Sequence, residues 1–598
     1  MNKFGITKIK NYLLQARIVG LVLIIMFKSK LILFFFVCGF AFKINSQSPV
    51  LYPNFPKLLD SAYNAPSTYS SKLIITDLEK DGQKEIVTAV NKTTTSMLLV
   101  IKSDGSNYPG FPIVYPALIQ NLASGDVNND GSIDIAIRFE NSIDVINRFG
   151  ISLSGFPVSL NSVFWSSRFV SLYDFDNDGN LEIITNRFNE INVFNYNGQI
   201  RTGWPRYTPG EIWYNPATGD FDKDGFAEII FSSFKVNPTD SGVINILKHD
   251  GTNFSNNWPL YLDSGYVIEG GSPTLFIDKN YPDSTFFCIS ASRVIVPPLT
   301  VLNRLTKYRS NGTIINTGYQ VTIGSLGPVV GGDVDFDGVL EFASGSQYEF
   351  YTTLYDNNLR VQNNWPQTGG GSFYGSWVFL GKVSSGNSLS IISNTQDGGN
   401  GFYGRIFTYR PNGTLLNWSP LRPYGLVYGM AFTDLNSDGS AELVITSWSG
   451  INPGTLSLHI FSFPGIPFTN ANYPWAQKNH DRYSTNQYGF VPPDEPIGIL
   501  PISNTIPKEF SLSQNYPNPF NPSTKIKFSI TLNKGLQPLV QLKVYDVLGR
   551  EVATLVNEQL KPRTYETEFD GSNFASGIYF YTLQTEGFID SKKMILVK

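Results

Sequence analysis

Asp126-Val127-Asn128-Asn129-Asp130-Gly131-Ser132-Ile133-Asp134 is the stretch whose reading decides the fold. Side-chain oxygens fall at its first, third, fifth and ninth positions, and glycine stands at the sixth. Alternate residues of such a loop turn their oxygens inward, the glycine turns the chain, and the next residue offers a carbonyl. That is the donor order of a site for a hard cation.

The stretch recurs. Five further copies read Asp77/Glu79/Asp81/Gly82/Glu85, Asp174/Asp176/Asp178/Gly179/Glu182, Asp220/Asp222/Asp224/Gly225/Glu228, Asp333/Asp335/Asp337/Gly338/Glu341 and Asp434/Asn436/Asp438/Gly439/Glu442. With Asp126, Asn128, Asp130 and Asp134 they form the candidate metal-ligand set. The first four copies start 49, 48 and 46 residues apart, and the last two follow after 113 and 101. Two eroded copies are therefore expected in the long gaps, near Asp278 and at Leu380-Gly381-Lys382-Val383. The second has no carboxylate to offer. Eight repeats result, six with a full donor set.

An EF-hand loop begins in a similar way but needs flanking helices and a glutamate at its twelfth position. Thr88, Ile137 and Thr185 stand there instead. The residues that follow, such as Glu85-Ile86-Val87-Thr88-Ala89-Val90, are rich in β-branched side chains, and Lys72-Leu73-Ile74-Ile75-Thr76 precedes the first loop. Each loop is thus the tip of a β-hairpin. Strand-forming repeats of 40–50 residues point to a propeller with one four-stranded blade per repeat. The fold expected is all-β: a seven- to eight-bladed β-propeller followed by a small Ig-like β-sandwich.

The repeats from Leu51 to Phe490 resemble the FG-GAP/VCBS family of calcium-binding propeller blades. The resemblance implies Ca2+ as the bound ion, and its simplest role is to staple the blade hairpins.

A second phrase recurs as Tyr52-Pro53-Asn54-Phe55-Pro56, Tyr108-Pro109-Gly110-Phe111-Pro112, Gly155-Phe156-Pro157, Gly203-Trp204-Pro205, Trp258-Pro259 and Trp365-Pro366. Proline suits an edge strand, so the phrase is read as outer-strand sequence. The first copy precedes the first metal loop, which predicts that Leu51–Pro56 completes the last blade. Trp165, Trp213, Trp377 and Tyr428 lie shortly before inner strands. They are candidate stacking residues for a polysaccharide or protein ligand at the channel mouth, with packing between blades as the alternative.

Residues 1–46 read as an export-signal region. Lys28 and Lys30 precede the apolar run Leu31–Phe42, and Met26 is a candidate start. The run is short for a membrane span, so none is expected in the mature chain. Cleavage near Ser46 leaves Cys288 as the sole cysteine, hence no internal disulfide. Residues 47–490 form the repeat region, 491–509 a proline-rich linker and 510–598 a separate tail of short alternating strands. The tail resembles the type A C-terminal sorting domain of the type IX secretion system through Asn515–Pro522, Val544–Val552, Ala575–Tyr581 and Lys592–Lys598. That resemblance implies the type IX machinery as partner and a secreted or outer cell surface location. Arg563 departs from it, standing where the family carries a glycine at a turn.

The 598 residues are 16% charged and 14% aromatic with a net charge of −4, which argues against nucleic acid. The chain has three histidines and lacks a Gly-x-Ser-x-Gly elbow, a His-Glu-x-x-His helix and a Walker loop. No catalytic residues are assigned. A binding or adhesion module is favoured over the alternative, a carbohydrate-active glycosidase or lyase on the same scaffold.

Overall fold

A computed structural model of the chain describes residues 26–27, 30–31, 48–63, 72–160, 168–233, 241–263, 265–268, 271–277, 285–295, 300–322, 324–346, 351–368, 377–397, 403–448, 454–470, 472–488, 490, 492, 499–503, 507–521, 523–531, 539–560, 562–571, 574–585 and 587–597. Every regular element among them is a β-strand. The chain divides into two units, Met1–Gln47 and Ser48–Lys598. In the first, Met26–Phe27 pairs with Lys30–Leu31; most of the apolar run read as a signal lies outside the described residues.

In the second unit, eight antiparallel sheets follow one another in chain order from Leu73 to Pro467. The first is typical: Leu73–Thr76, Glu85–Asn91, Ser96–Ile101 and Ile113–Tyr115 pair in sequence order. Most inner strands are buried along their whole length, as Glu85–Asn91 is. A strand covered on both faces reads as a continuous apolar run rather than an alternation. The covering comes from the neighbours. Ile74 and Val87 of the first sheet pack with Leu122 and Ile135 of the second, and equivalent clusters join each later sheet to its successor. One further cluster joins the eighth sheet to the first, through Leu426, Val444 and Leu458 against Leu73, Ile75 and Ile86.

The eighth sheet takes its outer strands from the start of the unit. Val50–Leu51 pairs with Phe461 and Ser462, and Lys57–Tyr63 pairs with Gly454–Leu458 of the same long strand. The expected completion of the last repeat by the N-terminal segment is thus present, with Pro53–Pro56 forming the turn between two paired stretches.

A segment near the end of the repeats, 472–488, runs along the innermost strands. Its carbonyls accept backbone N–H groups from Lys382 and Phe432 of the seventh and eighth sheets. They then accept from Ser124, Leu172, Thr218 and Leu275 of the second to fifth, at 2.7–3.0 Å. Gln487–Tyr488 finally adds a parallel strand to Thr274–Phe276. The segment is polar yet buried, as at Asp481, Arg482, Thr485 and Asn486. Asp481 caps its own turn by accepting from the N–H of Tyr483 at 2.8 Å.

The aromatic–proline phrases are not outer-strand sequence. They form the turn before the short outermost strand, as Trp204-Pro205 does before Arg206–Tyr207, and they reach across to the next sheet. The indole N–H groups of Trp204, Trp258 and Trp365 donate to the carbonyls of His249, Ser310 and Pro411 at 3.2, 2.7 and 2.7 Å. A Cβ on Gly203, which has φ of 91°, would fall 2.0 Å from the Asp250 carbonyl oxygen, so this close approach requires glycine. Proline's missing donor is compatible with an edge strand and with a turn alike, and the contact to the neighbouring sheet selects the turn.

The tail forms two four-stranded sheets whose apolar faces share one core, including Phe528, Val540, Leu542, Tyr581 and Leu596. Ile499–Ser503 pairs with Thr564–Thr567, so part of the stretch read as linker is sheet. The phrase Asn515–Pro522 is held by the C-terminal strands: Tyr581 Oη accepts the Asn515 N–H at 2.7 Å, and Asn518 Oδ1 accepts that of Ile595 at 2.9 Å. Arg563 does not adopt a positive φ, and its carbonyl accepts the Ile530 N–H at 2.8 Å, so the expected strain at that turn is absent.

The indole staples give a testable consequence. Trp258→Phe keeps the ring but removes the bond to Ser310, as Phe111 and Phe156 do naturally in the first two sheets. Stability should fall by about 1 kcal/mol, read from denaturant unfolding at fixed calcium; no change would mean the bond is replaced by water.

Candidate metal centres

Each full nine-residue copy joins the first two strands of its sheet, from Thr76 to Glu85 in the first and from Thr433 to Glu442 in the eighth. The six loops share one geometry. The residue at position four has positive φ between 53° and 63° (Lys80, Asn129, Asn177, Lys223, Phe336 and Ser437), and the position-six glycine lies between 82° and 95°. The first aspartate accepts the glycine N–H at 2.7–3.0 Å in all six. One oxygen of the ninth-position carboxylate accepts the N–H of position two at 2.8–3.1 Å in every copy.

These bonds aim the remaining oxygens at one another. Asp174, Asp176 and Glu182 offer oxygens within 4.8 Å of each other, as do Asp220, Asp222 and Glu228, and Asp333, Asp335 and Glu341. Among the described residues, the Asp77, Asp126 and Asp434 loops gather no such carboxylate trio. In the first of them Glu79 accepts from Tyr108 Oη at 3.0 Å. In the other two the third ligand is an amide; Asn128 Nδ2 donates to Asp130 at 3.1 Å and Asn436 Nδ2 to Asp438 at 3.0 Å.

The fifth position has a second role beside the one expected from the sequence. Asp178, Asp224 and Asp337, read as ligands equal to the others, stand outside the three converging groups, and Asp81, Asp130 and Asp438 belong to none either. The reason is local. All six are exposed, and each turns one oxygen back on its own loop. Asp81, Asp130, Asp178, Asp224, Asp337 and Asp438 accept the N–H groups of Gln83, Ser132, Asn180, Phe226, Val339 and Ser440 at 2.7–2.9 Å. The fifth aspartate thus shapes the turn around the glycine with one oxygen, Oδ1, in all six loops.

The electrostatics favour a cation. The ninth-position carboxylates are buried, from 0% exposure at Asp134, Glu228 and Glu442 to 7% at Glu341. Burial and neighbouring aspartates push Glu85 and Glu228 up to about 8, and burial drives Glu182, Glu341 and Glu442 up to about 7. Asp220 Oδ1 and Glu228 Oε1 are buried with no hydrogen-bond partner. An orphaned anionic oxygen is costly, and a hard oxygen-seeking ion answers it. The donor set fits calcium, and in the Asp174, Asp220 and Asp333 loops the first, third and ninth residues converge.

Of the eroded copies, Asp278 lies outside the described residues. The loop from Lys382 to Leu389 is described and has no carboxylate. There segment 472–488 makes the contacts: Lys382 N–H donates to Asn472 at 2.8 Å, and Tyr473 Oη donates to the Lys382 carbonyl.

The four aromatic candidates separate. Trp165 lies outside the described residues. Trp377 is half-buried in the cluster between the seventh and eighth sheets, under the Lys478 ammonium 3.9 Å from its ring centroid. Tyr428 packs in the cluster between the eighth and first sheets, 6.2 Å from Trp448. Trp213 is 39% exposed, and its indole donates to Glu211 at 2.6 Å. Of the histidines, His459 is buried and pushed down to about 4, His249 stacks on Phe226 at 4.4 Å, and His480 lies 3.1 Å from Asp481.

Sequence reading missed the basic side chains at the loops. Arg201 reaches Asp176 and Glu182 at 2.8 and 2.9 Å, Lys80 reaches Asp126 at 3.2 Å, and Lys248 lies 3.7 Å from Asp222 and Asp224. They come from a neighbouring loop or from the turn after the third strand, and only the aligned repeats bring those positions into register.

The raised carboxylates set a pH dependence. Without metal, glutamates that bind protons more tightly folded than unfolded contribute most stability near pH 4.5 and lose it as pH rises through 7 to 8. Chelated protein should therefore melt at a lower temperature at pH 8.5 than at pH 5.5. Calcium should raise the melting temperature more at the higher pH, and magnesium should not substitute. A calcium effect independent of pH would count against these carboxylates as ligands.

Residues 514–598 match the secretion system C-terminal sorting domain family, and residues 174–231 match the FG-GAP-like repeat, a span that includes the Asp174 and Asp220 loops. No curated protein matches the chain in sequence. Among solved structures, the V. cholerae biofilm matrix protein Bap1 is similar at 12% identity and a TM-score of 0.36, covering 73% of this chain and 96% of that one. The polysaccharide lyase Uly1 is similar at 9% identity and a TM-score of 0.33, covering 70% and 100%. The chain thus carries an FG-GAP-like repeat and a type IX secretion system C-terminal sorting domain, and it is a secreted or cell-surface protein.

Proposed function

We propose that the chain is a secreted, calcium-stabilised, eight-bladed β-propeller that acts as a binding or adhesion module, carried out of the cell by its Ig-like tail. One observation carries the architecture. The N–H just before the second strand donates to the position-two carbonyl of the preceding loop in Leu181 to Val127, Ala227 to Phe175 and Leu389 to Val334. The same bond runs from Lys84 of the first sheet to Leu435 of the eighth, at 3.0 Å. A ladder that continues from the last repeat to the first in the same register is what a closed ring produces. The cluster between those two sheets and the order in which 472–488 visits the inner strands support the same closure.

A ring stapled at six hairpin tips is a rigid platform, and rigidity lowers the ordering cost of binding. In this reading residues 1–46 are removed on export, the propeller spans 47–490, and the tail begins at 499 rather than 510. Trp213 is the exposed aromatic among the three described candidates and the anchor for a polysaccharide or protein ligand. Trp213→Ala should weaken binding on a glycan or surface-protein array by about 2 kcal/mol while the calcium-dependent melting stays in place. Undiminished binding would move the site elsewhere.

The sorting role has its own test. A chain ending at 498 loses both tail sheets and should accumulate folded in the periplasm of a type IX-competent host. Its normal appearance outside the cell would refute the assignment.

A further inference from the structure

The Asp174 loop differs from its sister loops in one respect. Arg201 follows the third-strand turn of the same sheet, and its N–H donates to Val193. Tyr108, Leu153, Phe254 and Gln362 make the same backbone bond in the first, second, fourth and sixth sheets, so the five positions are equivalent. Only here does the position hold a cation. Its Nη2 lies 2.8 Å from Asp176 Oδ2 and its Nη1 lies 2.9 Å from Glu182 Oε1.

Glu182 Oε1 is the oxygen left over after Oε2 accepts the Phe175 N–H. Its equivalent in the next loop, Glu228 Oε1, is buried and has no hydrogen-bond partner. The guanidinium thus takes up the ninth-position oxygen that a bound ion would use, and takes the third ligand with it. The Arg201 side chain is 14% exposed and that of Glu182 2%. The lysines near other loops are solvated at 29–35% exposure and approach at 3.2–3.9 Å. Arginine keeps its charge at any physiological pH, and its planar fork engages two carboxylates at once.

We propose that Arg201 is the resident cation of the Asp174 loop, closing that hairpin tip in place of calcium. The proposal rests on the calcium reading of the other five full loops and divides the six into two classes. Five exchange an ion with the medium, and one is fixed by the chain itself.

Counting calcium on the exported chain by native mass spectrometry tests this, with melting followed in parallel. Asp176→Asn should leave the number of bound ions unchanged, and Arg201→Gln should add one ion per chain at saturating calcium. In chelator, Arg201→Gln should melt lower than wild type, because the carboxylates of this loop lose their counter-charge. Asp335→Asn, in a loop whose cluster contains no arginine, should shed one ion. Loss of an ion in Asp176→Asn, with Asp335→Asn behaving as expected, would overturn the proposal alone. No loss in Asp335→Asn would overturn the calcium reading and the proposal with it.

Discussion

The constraint on which the rest of this structure depends is the buried carboxylate at the start of the second strand of each full repeat. Sheets covered on both faces bury the start of their second strand, and there each loop places Glu85, Asp134, Glu182, Glu228, Glu341 or Glu442. One oxygen is satisfied by the N–H of position two. In the Asp174, Asp220 and Asp333 loops the other lies close to the first and third carboxylates. Burying such a group without a counter-charge costs several kcal/mol, so the tip demands a cation. The local backbone is organised to supply the geometry: a left-handed residue at position four, glycine at position six, and three N–H groups that orient the acids.

Segment 472–488 solves a different problem. The innermost strand of each sheet has an open edge, and unpaired strand edges are liabilities. Residues 472–488 meet those edges with their own carbonyls, one sheet after another, and their polar side chains are consumed within the segment, as in the Asp481 turn. The burial of Asn479, Asp481, Arg482, Thr485 and Asn486 therefore follows from the pairing of this segment with the inner strands. Composition alone would assign such a stretch to the surface.

Much of this was legible in the sequence, for a physical reason. Ligand spacing and strand period are local, so the six loops, the hairpin on which each sits and the all-β class could be read from residue order. Within the loops, residue order did not show that Asp81, Asp178 and Asp337 also hold the turn, because an oxygen that shapes a turn and an oxygen that faces an ion have the same residue type. The sorting tail was legible through phrases that lock into its last strands, such as Asn515–Pro522. Contacts between repeats were not legible. The aromatic–proline phrases were read as outer strand because proline's missing N–H suits an edge; the bonds of Trp204, Trp258 and Trp365 to the next sheet show why they are turns. Trp377 and Tyr428 pack within clusters between sheets; Trp377 does precede an inner strand, whereas Tyr428 lies inside the strand Leu426–Thr433 and not before it as expected. Ile499–Ser503 looked like linker because its partner strand lies more than sixty residues away.

Variation among the eight tips follows from the same electrostatic demand. In the Asp220 and Asp333 loops three carboxylates converge and the site fits an ion. In the Asp174 loop a guanidinium from the same sheet reaches two of the three. In the seventh sheet the demand has gone altogether: Lys382 stands where the first aspartate would be, no carboxylate remains, and Asn472 and Tyr473 bond to the loop's backbone. Loss of the acids there goes with a tip held by chain contacts in place of carboxylates and a cation, and those contacts come from the segment that pairs with the inner strands.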